Sequence, residues 1–86
     1  MAKYSVLYTE AFYKSLKSIP NKDVRRILRK TRALGIDPRP QGCQKLAGQE
    51  RYRVRQGNYR IIYSIEDAQL IVIVVNVGHR REVYER

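Results

Sequence analysis

Residues 52–77 read YRVRQGNYRIIYSIEDAQLIVIVVNV, and this stretch decides the fold of the chain. Two breaks, Gly57-Asn58 and Asp67-Ala68, divide it into three runs that are rich in β-branched and aromatic residues. Such residues favour strands, and Gly-Asn has the residue types of a two-residue hairpin turn. The stretch therefore predicts three consecutive antiparallel strands over 52–56, 59–66 and 69–77. The last run is apolar on both faces, which favours an interior position in the sheet.

The residues before this stretch predict one further strand and two helices. Alternating side chains over residues 4–8 indicate a first strand. Thr9 is of a residue type that caps a following helix, and Ile19-Pro20 breaks that helix. We expect Asn21 to cap a second helix and Gly35 to end it. Two helices joined by so short a link are expected to form an antiparallel hairpin.

The resulting element order is β-α-α-β-β-β, followed by a short polar C-terminal tail. Prolines lack the amide donors that sheet ladders need, so the segment from Asp37 to Gly42 predicts a loop before the three strands. The expected fold class is α+β, with the helix hairpin packed on one face of a small, mainly antiparallel twisted sheet. A chain of 86 residues predicts a single domain over residues 1–86 with a thin core. We expect any chemistry to take place in an open groove, without a bound cofactor.

The charge balance indicates a polyanionic partner. Eighteen Lys and Arg residues stand against eight Asp and Glu residues, which gives a formal net charge of +10. Such an excess favours nucleic acid, an anionic membrane surface or an acidic protein. A soluble surface with a high isoelectric point is the plain alternative.

Other totals exclude several kinds of site and compartment. With one Cys and one His, the chain offers no intrachain disulfide, and its scattered carboxylates add no metal-ligand cluster, so we expect no metal. The N-terminal residues are too short and polar a run for a signal peptide, and the longest apolar run, 70–75, is far short of a membrane span. We expect a cytoplasmic protein without a membrane role.

The predicted hairpin places three arginines on one face of the sheet. Side chains alternate between faces along a strand, so Arg53 and Arg55 point away from Val54. A turn at 57–58 sets Arg55 opposite Arg60 and Val54 opposite Ile61. Like charges directly opposite on a sheet are destabilising, so this cluster favours an anionic partner. A solvated charged face, or neutralisation by the chain's own Glu66 or Glu82, is the alternative.

The C-terminal residues add further candidates near the same end of the sheet. A turn at Asp67-Ala68 pairs Tyr59 with Asn76, which brings the chain out of the sheet near Arg55 and Arg60. His79, Arg80, Arg81 and Tyr84 follow this exit point. Tyr84 can stack on an RNA base or pack on the sheet as an edge residue. His79 is the single histidine of the chain, and a lone histidine is more often structural than catalytic. Neighbouring cations would favour its neutral form.

A second group of cations lies on the predicted second helix. A solvated face is the favoured interpretation there, although a secondary role in holding a large RNA or an acidic partner stays open. The members are Arg25, Arg26, Arg29, Lys30 and Arg32.

Three segments resemble the hallmark segments of RelE-type toxins, members of the RelE/ParE superfamily of type II toxin–antitoxin systems. They are YRVR at 52–55, GNYRIIY at 57–63 and VGHRREVY at 77–84. The element order is similar as well, so the resemblance covers nearly the whole chain. It implies a toxin that a cognate antitoxin neutralises. It also implies an mRNA interferase, a metal-independent endoribonuclease that enters the ribosomal A site, cuts the mRNA codon there and inhibits translation.

The resemblance implies a reaction and a set of site residues. The ribose 2′-hydroxyl attacks the neighbouring phosphate and leaves a 2′,3′-cyclic phosphate and a 5′-hydroxyl. The family's basic hairpin positions fall on Arg53, Arg55 and Arg60. Its basic residue after the glycine falls on Arg80 or Arg81, and its terminal tyrosine on Tyr84.

One departure from the pattern concerns the general base. RelE has lysines where this chain has Arg53 and Arg55, and arginine stays protonated near neutral pH. The candidates for the base are therefore His79, Tyr84, Glu82 or a group of the ribosomal RNA.

Two other functions stay open from the sequence. One is a ParE-like inhibitor of DNA gyrase, which shares the fold and cuts no RNA. The other is a non-catalytic RNA-binding relative. In each toxin case we expect the antitoxin to be an acidic or amphipathic segment that wraps the domain.

Overall fold

The computed structural model describes residues 3–79 and contains two helices and a five-stranded sheet. The strand order is β1-β5-β4-β3-β2, with β1 parallel to β5 and the other neighbours antiparallel. The predicted α+β class and the interior position of the last strand are confirmed. The elements are β1 (Ser5–Tyr8), α1 (Glu10–Leu16), α2 (Asn21–Ile36), β2 (Gln44–Lys45), β3 (Tyr52–Gln56), β4 (Tyr59–Glu66) and β5 (Ile71–His79).

The helices begin and end for local reasons, and only some of these were predicted. Thr9 caps α1 as expected, because its hydroxyl accepts a hydrogen bond from Phe12 N at 3.1 Å. The prediction that Asn21 caps α2 is wrong. Pro20 occupies that position, where its fixed φ suits helix entry and its carbonyl accepts from Val24 N at 3.0 Å.

The prediction that Gly35 ends α2 is also wrong, because the helix continues to Ile36. Gly35 is buried, and its carbonyl accepts hydrogen bonds from Lys3 N at 2.9 Å and Tyr4 N at 2.8 Å. The glycine therefore joins the end of α2 to the start of the first strand.

The core lies between the helices and one face of the sheet, here called the helix side. Phe12, Ile27, Leu34, Ile61 and Tyr63 belong to it, with no more than 1% of any side chain exposed. The Tyr63 hydroxyl donates to Pro38 O at 2.7 Å, so the polar end of this buried ring is satisfied. Burial raises the pKa of that phenol well above its ordinary value. Over residues 3–79, the helices are too short or too polar to cross a membrane.

An unpredicted fifth strand completes the sheet. The predicted loop over 37–42 is present, and β2 follows it with two residues that pair with β3. Leu46 N then donates to Arg51 O at 2.8 Å and closes the connection. Two residues carry no periodic pattern, so the element order becomes β-α-α-β-β-β-β.

The two hairpins of the sheet differ in how well they were predicted. The β3–β4 register is as expected, with Arg55 opposite Arg60 and Gln56 opposite Tyr59. The predicted β4–β5 register is wrong. The turn there spans four residues, Asp67–Leu70, and Tyr59 lies opposite His79 instead of Asn76.

The register also shifts once within the β4–β5 hairpin, at a β-bulge. Tyr63 pairs with Val74 and Ile62 pairs with Asn76, which leaves Val75 as the extra residue on β5. Thr9 fixes this point, since its hydroxyl donates to Val75 O at 2.6 Å and its amide donates to Val74 O at 3.1 Å.

Candidate functional site

The sheet surface away from the helices, here called the outer face, carries an arginine cluster. Arg55 and Arg60 are directly opposite each other across the β3–β4 hairpin, and Arg53 lies two residues along β3 from Arg55. Val54 and Ile61 point to the helix side, where both are buried. Alternation along each strand therefore sends all three guanidinium groups to the outer face, as predicted.

The three charges repel one another and raise the energy of the cluster. The pKa of Arg53 is lowered by partial burial and then by the charges of Arg60 and Arg55. A hydrogen bond from the Arg53 guanidinium to Gln44 Oε1 ties it to β2. Arg55 is exposed, whereas Arg60 is half-buried and its Nε is shielded from solvent. An anion bound among these groups would relieve the repulsion.

Glu66 is too far away to serve as the neutralising carboxylate. It lies at the opposite end of β4, six residues from Arg60, or about 20 Å along the strand. The second carboxylate considered, Glu82, lies outside the described residues.

The surroundings of the cluster are partly apolar and open. Leu46 and Ile62 are each 6% exposed and pack with Val75 into a small second core on the outer face. Gly78 lies opposite Arg60 and places no side chain beside it. Among the described residues 3–79, the cluster thus borders an apolar patch on one side and bare backbone on the other.

His79 does not join the arginine cluster, which corrects the expected grouping. It pairs with Tyr59, and the two rings meet edge to face with centroids 6.1 Å apart. The Tyr59 hydroxyl donates to Asp23 Oδ2 on α2 at 3.1 Å, so both rings lie on the helix side. The cause is the bulge at Val75, because one extra residue reverses the alternation of every side chain after it.

The remaining predicted residues, Arg80, Arg81 and Tyr84, lie outside the described residues. Residues 3–79 hold no group of three or more His, Cys, Asp or Glu side chains that is arranged to bind a metal ion. Two contributors were missed by sequence reasoning. Gln44 lies on a strand too short to predict, and Gly78 faces Arg60 only because of the bulge.

A separate group of contacts ties the two loops at the other end of the sheet together. The Arg39 guanidinium binds Asp67 through two hydrogen bonds, of 3.2 and 2.8 Å, and lies 5.4 Å from the centre of the Tyr52 ring. Tyr4 Oη also donates to Asp67, at 2.7 Å. This group stabilises the turn before β5, and its Tyr52 ring lies on the helix side, away from the outer face that carries the arginine cluster.

Comparison with known proteins places this chain in a family. The model of the family described as ParE toxin of type II toxin–antitoxin system, parDE, matches residues 6–84. The chain belongs to the ParE toxin family. The resemblance to the RelE/ParE superfamily predicted from the three sequence segments is thereby confirmed.

The relatives of this ParE-family toxin are themselves toxins. It is 37% identical to Toxin RelG of Mycobacterium tuberculosis over 43 residues, which are 50% of this chain and 47% of RelG. The match thus spans about half the length of that curated relative.

Two solved complexes share the fold over nearly the whole chain. The archaeal RelE–RelB complex of Pyrococcus horikoshii contains a chain with 29% identity and a TM-score of 0.81, matched over 94% of this chain and 99% of that one. A RelBE toxin–antitoxin complex of Mycobacterium tuberculosis gives 23% identity and the same TM-score, over 91% and 99% of the two chains. At 23% identity, the match to the Mycobacterium tuberculosis complex shows only that the two chains share a fold.

Proposed function

We propose that this toxin is a metal-independent endoribonuclease that acts in the cytoplasm, cleaves mRNA in the ribosomal A site and so inhibits translation. The observation that carries the proposal is the position of Arg55 directly opposite Arg60, with Arg53 beside them, on the outer face of the sheet. Such a cluster costs stability unless an anion binds it, and an RNA chain is an anion of suitable length.

The proposed reaction is attack of a ribose 2′-hydroxyl on the adjacent phosphorus atom. The bond from phosphorus to the 5′-oxygen breaks, which leaves a 2′,3′-cyclic phosphate and a free 5′-hydroxyl. Negative charge gathers on the phosphorane oxygens in the transition state. Preorganised guanidinium groups stabilise that charge, and one well-placed donor contributes about 10²–10³ in rate.

The three arginines are suited to different parts of this task. Arg60 is half-buried and held between β3 and β5, so its guanidinium is the natural partner of the phosphorane. Arg53 is oriented by Gln44, and the exposed Arg55 can follow the backbone of a bound strand.

The arginines stabilise charge but do not accept the 2′-proton, since guanidinium stays protonated near neutral pH. His79 lies on the helix side and does not face the same space as the cluster. The base is therefore sought in Tyr84, in Glu82 or in the ribosomal RNA.

A cognate antitoxin belongs to the proposal. The two solved relatives described above are toxin–antitoxin complexes. We expect an acidic or amphipathic antitoxin segment that binds more tightly at low salt, because its carboxylates would lie over the basic face. An affinity that does not change with salt would contradict electrostatic docking.

Inhibition of DNA gyrase is the second candidate, and the match to a ParE family model favours it. The arginine cluster distinguishes the two functions, since phosphoryl transfer needs fixed cations at a phosphate and a protein-binding inhibitor does not.

The deciding experiment is primer extension on a reporter mRNA in a translating extract. Wild type should cut within A-site codons only when ribosomes are present. Arg60→Ala should lower the cleavage rate about 10²–10³-fold, because it removes a transition-state donor. Tyr84→Phe tests the role of the Tyr84 hydroxyl. The matched control is Arg25→Ala, which removes an exposed arginine of α2 and should cleave like wild type.

Intact mRNA with wild-type toxin would overturn the nuclease proposal. A supercoiling assay with purified gyrase then tests the second candidate. If neither activity is found while RNA still binds, the protein is a non-catalytic RNA-binding relative.

A further inference from the structure

The helix side of the sheet contains a cleft at the end where β4 begins and β5 ends. Its volume is about 430 Å³, and it opens between the C-terminal end of α1 and the two strands. The bulge at Val75 creates this arrangement, because it turns Val77 and His79 toward the helices, while the Asn76 side chain reaches Ser15 of α1 through a hydrogen bond. The residues around the cleft include Ser15, Ile19, Tyr59, Asn76, Val77 and His79.

Asn76 presents hydrogen-bond donors to this cleft. Its Oδ1 accepts from Ser15 Oγ at 2.8 Å and from Val77 N at 2.9 Å, which fixes the orientation of the carboxamide. Within residues 3–79 the two N–H groups of the amide meet no acceptor, so they are available to a ligand. A side-chain amide held in this way can recognise a nucleobase carbonyl or ring nitrogen.

Aromatic rings form another wall of the cleft. Tyr59 and His79 lie edge to face, and the hydrogen bond from Tyr59 to Asp23 fixes the phenol ring in place. Fixed aromatic rings are platforms on which unpaired RNA bases stack.

A second cleft, of about 310 Å³, shares Tyr59 and His79 with the first. Arg26 of α2 lines it, together with the β3–β4 turn. Arg26 is exposed, and no carboxylate of residues 3–79 lies within ion-pair distance of it. An arginine next to a base-sized cleft is suited to bind the phosphate of the same nucleotide.

The β3–β4 turn connects these clefts with the arginine cluster on the outer face. Gly57 and Asn58 separate Arg55 from Tyr59 along the chain, and a Cβ added at Gly57 would meet no heavy atom within 4 Å. A bound strand can therefore pass over the end of the hairpin from one face of the sheet to the other.

We propose that the helix-side cleft binds one unstacked nucleotide of the RNA whose neighbouring phosphates lie on Arg55 and Arg60. The base stacks on one of the two rings, Tyr59 or His79, which stand at 77° to each other, and accepts from the Asn76 amide, while its phosphate contacts Arg26. This inference rests on the proposed RNA-cleaving function. The lining favours RNA over an antitoxin segment, because Ile19 and Val77 are the only large apolar side chains among its described residues, and Val77 is 2% exposed.

The test measures binding of a short fluorescent 2′-O-methyl RNA, which lacks the attacking hydroxyl and therefore reports binding without cleavage. Asn76→Asp is the informative variant. It keeps an oxygen that accepts from Ser15 and Val77 and replaces the amide NH₂ group by a negatively charged oxygen. We expect it to weaken binding about tenfold, since a donor becomes an acceptor that bears charge. Gln69→Glu makes the same charge change in the exposed turn between β4 and β5, at the opposite end of the sheet from Tyr59 and His79, and should have little effect.

The second arm uses probes in which successive nucleotides lack their base. At one position, loss of the base should weaken wild-type binding about tenfold and should weaken Asn76→Asp binding clearly less, because only the stacking remains to be lost, which is the coupling expected of two groups in contact. Additive effects at every position would overturn the proposal. So would unchanged RNA binding by Asn76→Asp, including the case in which that variant binds the antitoxin less tightly, because the cleft would then belong to a protein partner.

Failure of this inference is distinguishable from failure of the proposed function. A toxin that cuts mRNA but shows no coupling between Asn76 and a base retains its function and loses the nucleotide site. A toxin that shows the coupling and cuts no RNA retains the site as part of an RNA-binding protein.

Discussion

The two hairpins that share β4 set their registers in different ways. The β3–β4 hairpin has a two-residue turn and uninterrupted pairing, so its side chains alternate strictly and Arg53, Arg55 and Arg60 share one face. The β4–β5 hairpin has a four-residue turn and a bulge, so its alternation reverses partway along β5. The first hairpin thereby concentrates charge on the outer face. The second directs Asn76 and His79 to the helix side, and two chemically different surfaces result at one end of the sheet.

Among the tests of this difference, deletion of Val75 has the largest expected effect on stability, because it should remove the bulge. Asn76 would take the outer-face position over Ile62, while Val77 and His79 keep their pairing. The deletion removes the hydrogen bonds of Thr9 to Val75 O and of Ser15 to Asn76, and it places an amide on the small outer-face core. The free energy of unfolding should fall by about 3 kcal/mol in urea denaturation.

Val75→Ala is the matched control for this deletion. It keeps the bulge and removes only the side-chain contacts with Leu46 and Ile62, so the loss should be about 1 kcal/mol. Equal losses in the two variants would show that the bulge itself adds no stability.

The same contrast explains which parts of the sheet could be predicted from sequence. The β3–β4 register was correct because its signal, Gly57-Asn58, is local and has few structural solutions. The β5 bulge depends on Thr9, which lies 66 residues before Val75 and carries no sign in the sequence of this contact. Since His79 follows the bulge, its face was predicted wrongly, although its end of the sheet was correct.

Other parts of the fold could not be predicted from sequence, for related reasons. The two residues of β2 are too few for a pattern, and so the support that Gln44 gives Arg53 could not be foreseen. At α2, residue types suggested Asn21 and Gly35 as the ends. Tertiary hydrogen bonds at Gly35 decided otherwise, because its carbonyl is the acceptor for the chain that enters β1.

A second prediction concerns the turn that sets the first hairpin. Gly57 has a φ of 59°, in the left-handed region, whereas the φ of Asn58 is not positive. This combination is that of a type II′ turn. Gly57→Ala should cost about 1–2 kcal/mol of unfolding free energy, because an L side chain is strained at that φ. A Cβ there meets no neighbour within 4 Å, so the effect should be purely conformational. Asn58→Ala is the control and should cost clearly less; equal losses would contradict control by the Gly57 backbone.

The smallest expected effect lies in the turn of the second hairpin, which distant contacts hold. Leu70 has a φ of 55° there, and the turn is stabilised by Arg39 and Tyr4 through Asp67. Hydrogen bonds from Arg39, and then from Tyr4, lower the pKa of Asp67 from 3.8 to about 2. Because the pKa is lower in the folded state, the contribution is complete above the unfolded pKa and is lost as the pH falls from about 4 to about 2.

Denaturation midpoints measured across that pH range test whether the hydrogen bonds to Asp67 stabilise the turn. Asp67→Asn should flatten the decline in stability between pH 4 and pH 2, because it removes a carboxylate that must be protonated. Arg39→Lys should flatten it partly, since an ammonium group cannot reproduce the paired hydrogen bonds of the guanidinium. An unchanged acid profile in Asp67→Asn would mean that the second turn, like the first, is set by its own backbone. The difference between the hairpins would then lie in the bulge alone.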